Sequence, residues 1–356
     1  MPNIVDVALH AGVSTATVSR VLSRPERVSP PTRERVLASV KELGYELNVA
    51  GRSLRTARSA KLLVAVPDIS KSFFSNVIRG AEEAARAQGY AVVLGDTRYD
   101  PLLENQYVGM LRRNEVDGLV FLGHCAPDSL SGLIAERGGL APIVYGCDYS
   151  PNHGASSVQI DNVGAGSDAA EHLIGLGHRR IGVVTGSLVS AISRDRLAGV
   201  ENAMQRHGLV SSLRVQHGDF SVESGGEAAN ALLDEDVTGI FCFSDEMALG
   251  ALQAVRSRGL SCPKDISVVG FDDIRFARYM TPALTTIRQP AAEIGRYAVN
   301  LLLKAIAGAL DTRQIVTLPH QLVVRDSTAP APTIPASPSG WQIMRGWRAP
   351  AGRRRP

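Results

Sequence analysis

Thr15, Ala16, Thr17, Ser19 and Arg20 follow one another on a short helical pattern near the start of the chain. Each is short or polar enough to enter a DNA groove, where a guanidinium donates to base edges and a methyl group packs on thymine. Such residues act only if a small scaffold holds them outward. Ile4, Val7, Ala8 and Ala11 recur at helical spacing and predict a first helix with one buried face. Gly12 supplies a turn, and Ser14 is placed to cap a second helix over 13–22 that buries Val18, Val21 and Leu22. A third helix is expected from Ser29 and Pro30, burying Val36, Leu37, Val40 and Leu43 until Gly44 stops it. The pattern reads as a DNA-binding helix-turn-helix, although any small three-helix bundle could show the same periodicity.

Enzyme chemistry finds little support. Gly164-x-Gly166-x-x-Ala169 follows a strand-like run and has the outline of a dinucleotide fingerprint. About 20 residues on, where an acidic group should hold a ribose, the chain reads Val184-Thr185-Gly186. These glycines read instead as close packing of a helix against its sheet. No nucleophile elbow, Ser/His/Asp signature or Walker loop is present. Cys125, Cys147, Cys242 and Cys262 stand far apart, and the eight histidines show no ligand spacing, so buried free thiols and no metal are expected. No cofactor is expected either.

Charge divides the 356 residues unevenly. Residues 1–61 carry ten Lys/Arg against five Asp/Glu, and residues 327–356 carry five Arg and no acid. With +3 over the whole chain, the segment between these two +5 ends is −7. A basic head on an acidic body suits a phosphate-binding head with a small-molecule body. No basic-plus-apolar leader and no apolar run of about 18 residues is seen, which excludes a membrane role and predicts a soluble cytoplasmic protein.

From Leu62 onward apolar runs alternate with helical stretches: 62–66, 91–95, 118–123 and 142–146, then 181–186, 239–244 and 266–272. Runs apolar on both faces and separated by helix-length spacers predict buried parallel sheets. Two series predict two α/β lobes with a ligand cleft at their strand ends. Residues 329–356, rich in Pro, Ala, Gly and Arg, read as a disordered tail that either adds nonspecific DNA affinity or is merely solvated. It holds no leucine heptad for tetramerisation.

The wording of the sequence resembles the lactose-repressor/galactose-repressor family of bacterial transcription regulators. The resemblance rests on DVALHAGVSTATVSRVLS (6–23), VSPPTRERVLASVKELGY (28–45), GRSLRTARS (51–59) and VPDISKSFFSNVIRGAEEAA (66–85). It continues in VQIDN (158–162), GHRRIGVVTG (177–186), RLAG (196–199), SDEMALGAL (244–252), 266–290 and LVVRDST (322–328), and so covers nearly all of 3–328. It implies an all-α helix-turn-helix domain over 1–47, a hinge helix or linker over 48–60, and a two-lobed effector-binding and dimerisation body over 61–328, of the type I periplasmic-binding-protein kind. One lobe would take 61–160 and 290–319, the other 161–289 and 320–328, with crossings near Asp161, Pro290 and His320.

The resemblance also assigns roles. Thr15, Ala16 and Arg20 would read bases, while Ser14, Thr17 and Ser19 would hold the DNA backbone unless they only cap or solvate the helix. Arg52 and Arg55 would add phosphate contacts around Leu54, the residue that wedges into the minor groove. Gly51 departs from the alanine usual there, and a glycine inside a helix costs about 0.5–1 kcal/mol, so a looser hinge is expected. Asp161, Arg196, Asp245 and Asp272 would reach a polyhydroxylated effector, with Asp245, and one of Asp272 and Asp273, alternatively serving as helix caps.

Phe73, Phe74 and Phe220 would face a flat base, although each also suits core packing. Ser190 stands where purine-responsive members carry arginine, which argues against a free purine. The wording is similar to the cytidine-responsive members, so a nucleoside is the expected effector, with a pentose or hexose as the alternative. The expected partners are double-stranded pseudo-palindromic operator DNA, a second copy in a homodimer, and possibly another transcription regulator. A solute-binding protein, which shares the body and lacks residues 1–60, is the competing class.

Overall fold

A computed structural model of the chain describes residues 2–45, 58–123, 128–136, 141–149 and 154–332. It separates into two compact units, Met1–Ser59 and Ala60–Pro356. The described residues of the first form three α-helices. Asn3 and Asp6 form a reciprocal capping box at the start of α1 (Ile4–Ala11), and Gly12 ends it in a left-handed conformation. Ser14 caps α2 (Thr15–Ser23) by accepting from the Thr17 N–H, and Gly44 stops α3 (Pro30–Leu43). Val7, Ala8, Ala11, Val18, Val21 and Val36 form the core. Leu37, expected inside, is 46% exposed. Ser39 is buried in its place, accepting or donating at 3.0 Å with His10 Nδ1 and donating to the Arg35 carbonyl. That hydrogen-bonded pair ties α3 to α1 and sets the rotation of α3, which turns Leu37 to solvent.

The second unit holds two six-stranded sheets. The first half of the chain supplies β1 (Lys61–Val66), α4 (Ser72–Ala87), β2 (Ala91–Asp96), α5 (Pro101–Arg112), β3 (Gly118–Phe121), α6 (Asp128–Glu136), β4 (Ile143–Gly146) and β5 (Ser156–Ile160). Then follow α7 (Asn162–Gly175), β6 (Ile181–Thr185), α8 (Ala191–Arg206), β7 (Leu213–His217), α9 (Val222–Leu233), β8 (Gly239–Cys242), α10 (Asp245–Ser257), β9 (Ser267–Asp272) and β10 (Thr285–Arg288). The chain closes with α11 (Ala291–Ile306), β11 (Ile315–Leu318) and β12 (Gln321–Val323).

One sheet runs β11-β5-β4-β3-β1-β2 and the other β12-β10-β9-β8-β6-β7. Every pairing is parallel except β10 with β12. The seven apolar runs of the sequence all become strands; β1, β3, β4, β6, β8 and β9 are buried almost throughout, whereas β2, at a sheet edge, is only partly covered. Strands β7, β10, β11 and β12 carry no long apolar run: three of them lie at sheet edges, and β7, β11 and β12 are only partly buried. Strand order reverses between β1 and β3 in one sheet and between β6 and β8 in the other. Ligands of open α/β sheets sit beyond the carboxyl ends of strands at such points.

The helices meet in close pairs, and one corrects the reading of Gly166. A Cβ there would clash with the Arg196 carbonyl on α8, and a Cβ at Gly199 of α8 would clash with the Val163 carbonyl on α7. Gly166 therefore permits close helix–helix contact, not contact with the sheet. At the other end, the body runs past residue 328. The Ala329 carbonyl accepts from His178 Nε2, and the Ala331 N–H donates to the Leu176 carbonyl. The remainder of the tail, 333–356, lies outside the described residues, as does Cys125. Cys147, Cys242 and Cys262 are free thiols.

Candidate functional site

A cavity opens within the second unit, lined by residues from both sheets. Its walls come from the residues just past β1 (Pro67), β3 (Leu122), β4 (Cys147, Asp148), β8 (Phe243, Ser244) and the end of β9 (Asp272), so both sheets contribute their carboxyl ends. The strand reversals explain the opening: the helices after β1 and after β3 leave on opposite faces of the sheet, and so do those after β6 and β8.

Three aromatic residues expected at a ligand line this cavity. Phe73 and Phe74 open α4 and meet edge to face, with ring centroids 5.4 Å apart. Phe220 approaches from the loop after β7 in a left-handed conformation, φ +68°. Its ring lies where a side chain on residue 186 would be, so Gly186 makes that placement possible. Tyr99 and Phe243, which no motif indicated, add to the apolar wall.

Charged groups line the same space. Arg196 is 3% exposed; its Nε donates to Asn162 Oδ1 at 2.9 Å, its Nη1 donates to the Phe243 carbonyl at 2.8 Å, and its guanidinium lies 3.5 Å from the centre of the Phe271 ring. Burial lowers it to about 10, leaving it cationic at neutral pH. Asp272 accepts from Gln289 Nε2 at 2.7 Å and is pushed up to about 7 by burial, against the opposing pull of Arg196. Asp148 accepts from Ser190 Oγ and from the Tyr149 N–H, both at 2.8 Å, and burial pushes it up to about 6. Lys71 lies 3.4 Å from Glu246 and donates to the Phe220 carbonyl at 2.6 Å. Carboxylates, a guanidinium and flat rings facing one cavity can bind a ligand that has both hydroxyl or amine donors and an apolar face.

Two of the expected effector residues are elsewhere. Asp161 is exposed and accepts from the Gly164 N–H, capping α7. Asp245 is fully buried behind the cavity, holding Thr286 Oγ1 and the Ile274 N–H, and burial raises it well above the usual carboxylate range. The cap of α10 is Ser244, and the side chain that reaches the cavity is the next one, Glu246. Asp273 is held by Arg288 and Arg325. Asp148, Lys71, Glu246 and Gln289 escaped sequence reasoning because a lone polar residue after a strand has no spacing to betray it. The one available signal was position: each lies within a few residues of a strand end or helix start.

In the first unit Thr15, Ala16 and Arg20 are exposed on the side of α2 opposite the buried Val18 and Val21. Ser14 is also exposed, with its hydroxyl 3.0 Å from that of Thr17, while Thr17 and Ser19 are half-buried. Arg52, Leu54, Arg55 and Gly51 lie outside the described residues. Among the described residues no cluster of His, Cys, Asp and Glu could hold a metal, and no helix is long and apolar enough to cross a membrane.

Residues 3–48 match the family of bacterial regulatory proteins termed lacI, and residues 170–328 match a periplasmic binding protein-like domain. The chain is 39% identical over 330 residues to the HTH-type transcriptional repressor CytR of Escherichia coli strain K12, covering 92% of this chain and 96% of that one. It is 37% identical to the HTH-type transcriptional regulator DegA of Bacillus subtilis strain 168, over 93% of this chain and 99% of that one. Among solved structures, the lac repressor dimer bound to operator and the anti-inducer ONPF superposes with TM-score 0.83 at 30% identity, covering 92% and 99% of the two chains. The complex of the regulator CelR with cellobiose superposes with TM-score 0.69 at 33% identity, over 92% and 100%. These relatives are transcription regulators, not enzymes. The chain therefore belongs to the lacI family of bacterial regulatory proteins, as a ligand-responsive DNA-binding transcriptional repressor.

Proposed function

We propose that the effector is a nucleoside, bound in the cavity with its base against Phe73, Phe74 and Phe220 and its diol toward Asp272, Arg196 and Glu246. The observation that carries this reading is the pairing, in one cavity, of several aromatic rings with hydrogen-bonding carboxylates. A base alone would leave the carboxylates unused, and a sugar alone would leave the rings without a flat partner. Ser190, committed to Asp148, supplies no cation for a purine edge.

The chain acts as a homodimer in the cytoplasm on a pseudo-palindromic operator, since two-fold protein symmetry pairs with two-fold DNA symmetry. Exposed apolar residues support a second copy as partner: Leu94 on the edge strand β2, and Phe276 and Tyr279 after β9. Thr15, Ala16 and Arg20 read bases, Ser14, Thr17 and Ser19 meet the backbone, and the segment bearing Arg52, Leu54 and Arg55 enters the minor groove. The test is operator binding titrated against nucleosides, free bases, pentoses and hexoses. A nucleoside should change operator affinity at the lowest concentration. A response to a sugar with none to any nucleoside assigns the site to the sugar.

A further inference from the structure

Helices α4, α8 and α10 all begin at the cavity, and helix N-termini are ready-made sites for phosphate because their N–H groups and dipole favour an anion. Two of these sites are already filled by the protein. Glu246 Oε1 accepts from the Ser72 N–H at the start of α4, at 3.1 Å, while its Oε2 faces Lys71 at 3.4 Å. Asp148 accepts at 2.8 Å from the Oγ of Ser190, the residue that immediately precedes α8. The exchange is reciprocal. The α4 helix, which follows β1 of the first sheet, receives its carboxylate from α10 of the second; α8, which follows β6 of the second, receives its carboxylate from the β4 end of the first.

Of the two cations lining the cavity, Lys71 is ion-paired and Arg196 is held in place by neutral groups. Lys71 is shared between Glu246 and the Phe220 carbonyl, and Arg196 is spent on Asn162, the Phe243 carbonyl and the Phe271 ring. Tyr99 is pushed up to about 12, first by burial and then by Asp68, Asp148, Asp219 and Glu246, so the field on that side of the cavity is negative.

We propose that Glu246 and Asp148 act as built-in anions that occupy the phosphate positions of the cleft, so that it accepts only unphosphorylated effectors. A phosphorylated ligand would meet carboxylates at the starts of α4 and α8, with Lys71 already paired to Glu246 and Arg196 only 3% exposed; placing like charges together in an interface costs enough to reject a partner. Glu246 is then a specificity-determining residue, and its replacement by glutamine removes the negative charge and releases Lys71 for an incoming phosphate.

This rests on the cavity being the effector site, but not on the effector being a nucleoside. The experiment is calorimetric titration of the full chain at neutral pH with matched pairs: cytidine and its 5′-monophosphate, uridine and its 5′-monophosphate, ribose and ribose 5-phosphate, glucose and glucose 6-phosphate. Whichever unphosphorylated member binds, its phosphorylated partner should bind at least roughly a hundredfold more weakly. Glu246→Gln should narrow that gap by about tenfold, and Asp148→Asn should narrow it in the same direction. If Glu246→Gln loses all binding, the wild-type gap and Asp148→Asn decide. Binding of a sugar pair with no nucleoside binding would overturn the nucleoside assignment and leave this proposal standing. Equal binding of both members of a pair, binding of a phosphorylated member alone, or a gap unmoved in the variants would overturn it.

Discussion

Asp272 holds a left-handed backbone, φ +109°, at the end of β9, with its carboxylate buried in the cavity wall. A carboxyl whose folded pKa is raised binds its proton more tightly in the folded protein than in the unfolded chain. Its favourable contribution is therefore complete below the ordinary carboxylate range and is lost as pH rises through about 7. Asp148, raised to about 6, acts in the same direction over a lower window. His172 and His178, lowered by burial, act in the opposite direction, so the comparison must be between variants. Asp272→Asn should flatten the fall of melting temperature between about pH 5 and about pH 8 relative to wild type, because the amide cannot titrate. Parallel profiles for the two proteins would contradict the assignment. At this scale the sequence was only partly legible. Asp272 and the three phenylalanines were recognisable from family wording, whereas Asp161 and Asp245 carry equally conspicuous carboxylates that the fold spends on a helix cap and on β10. Which acid points into a cavity depends on strand register and helix rotation, and neither is written in the local sequence.

The elements follow local rules more closely. Apolar runs such as 62–66 and 239–242 become central strands because burial on both faces leaves no room for polar residues. The less buried β7 and β11 pack on fewer neighbours, tolerate polar residues, and so lack that signature. The α7–α8 pair is set by Gly166 and Gly199, whose missing side chains let each helix approach the other's carbonyls. Gly199→Ala should force the helices apart and destabilise the second unit by roughly 1–3 kcal/mol, the usual range for overpacking a tight contact. Chemical denaturation measures it directly. An unchanged midpoint would mean that the pair has slack the structure does not contain.

At the scale of the whole molecule, the two units divide the features: the first exposes Thr15, Ala16 and Arg20 on α2, for which we propose base reading, and the second holds the cavity that we propose takes the effector. That division was legible from charge alone, since a +5 head precedes an acidic body. The account requires that ligand occupancy of the cavity alter operator affinity through a coupling free energy, typically about 1–3 kcal/mol or 5- to 150-fold. The direct measurement is operator affinity of the full chain with and without saturating nucleoside, for wild type and for Asp272→Asn. The account predicts a shift of that size for wild type and a shift that is lost, or displaced to much higher nucleoside concentration, for the variant, with both proteins binding operator equally in the absence of ligand. An operator affinity that no cavity ligand changes, or an identical response from the variant, would contradict it.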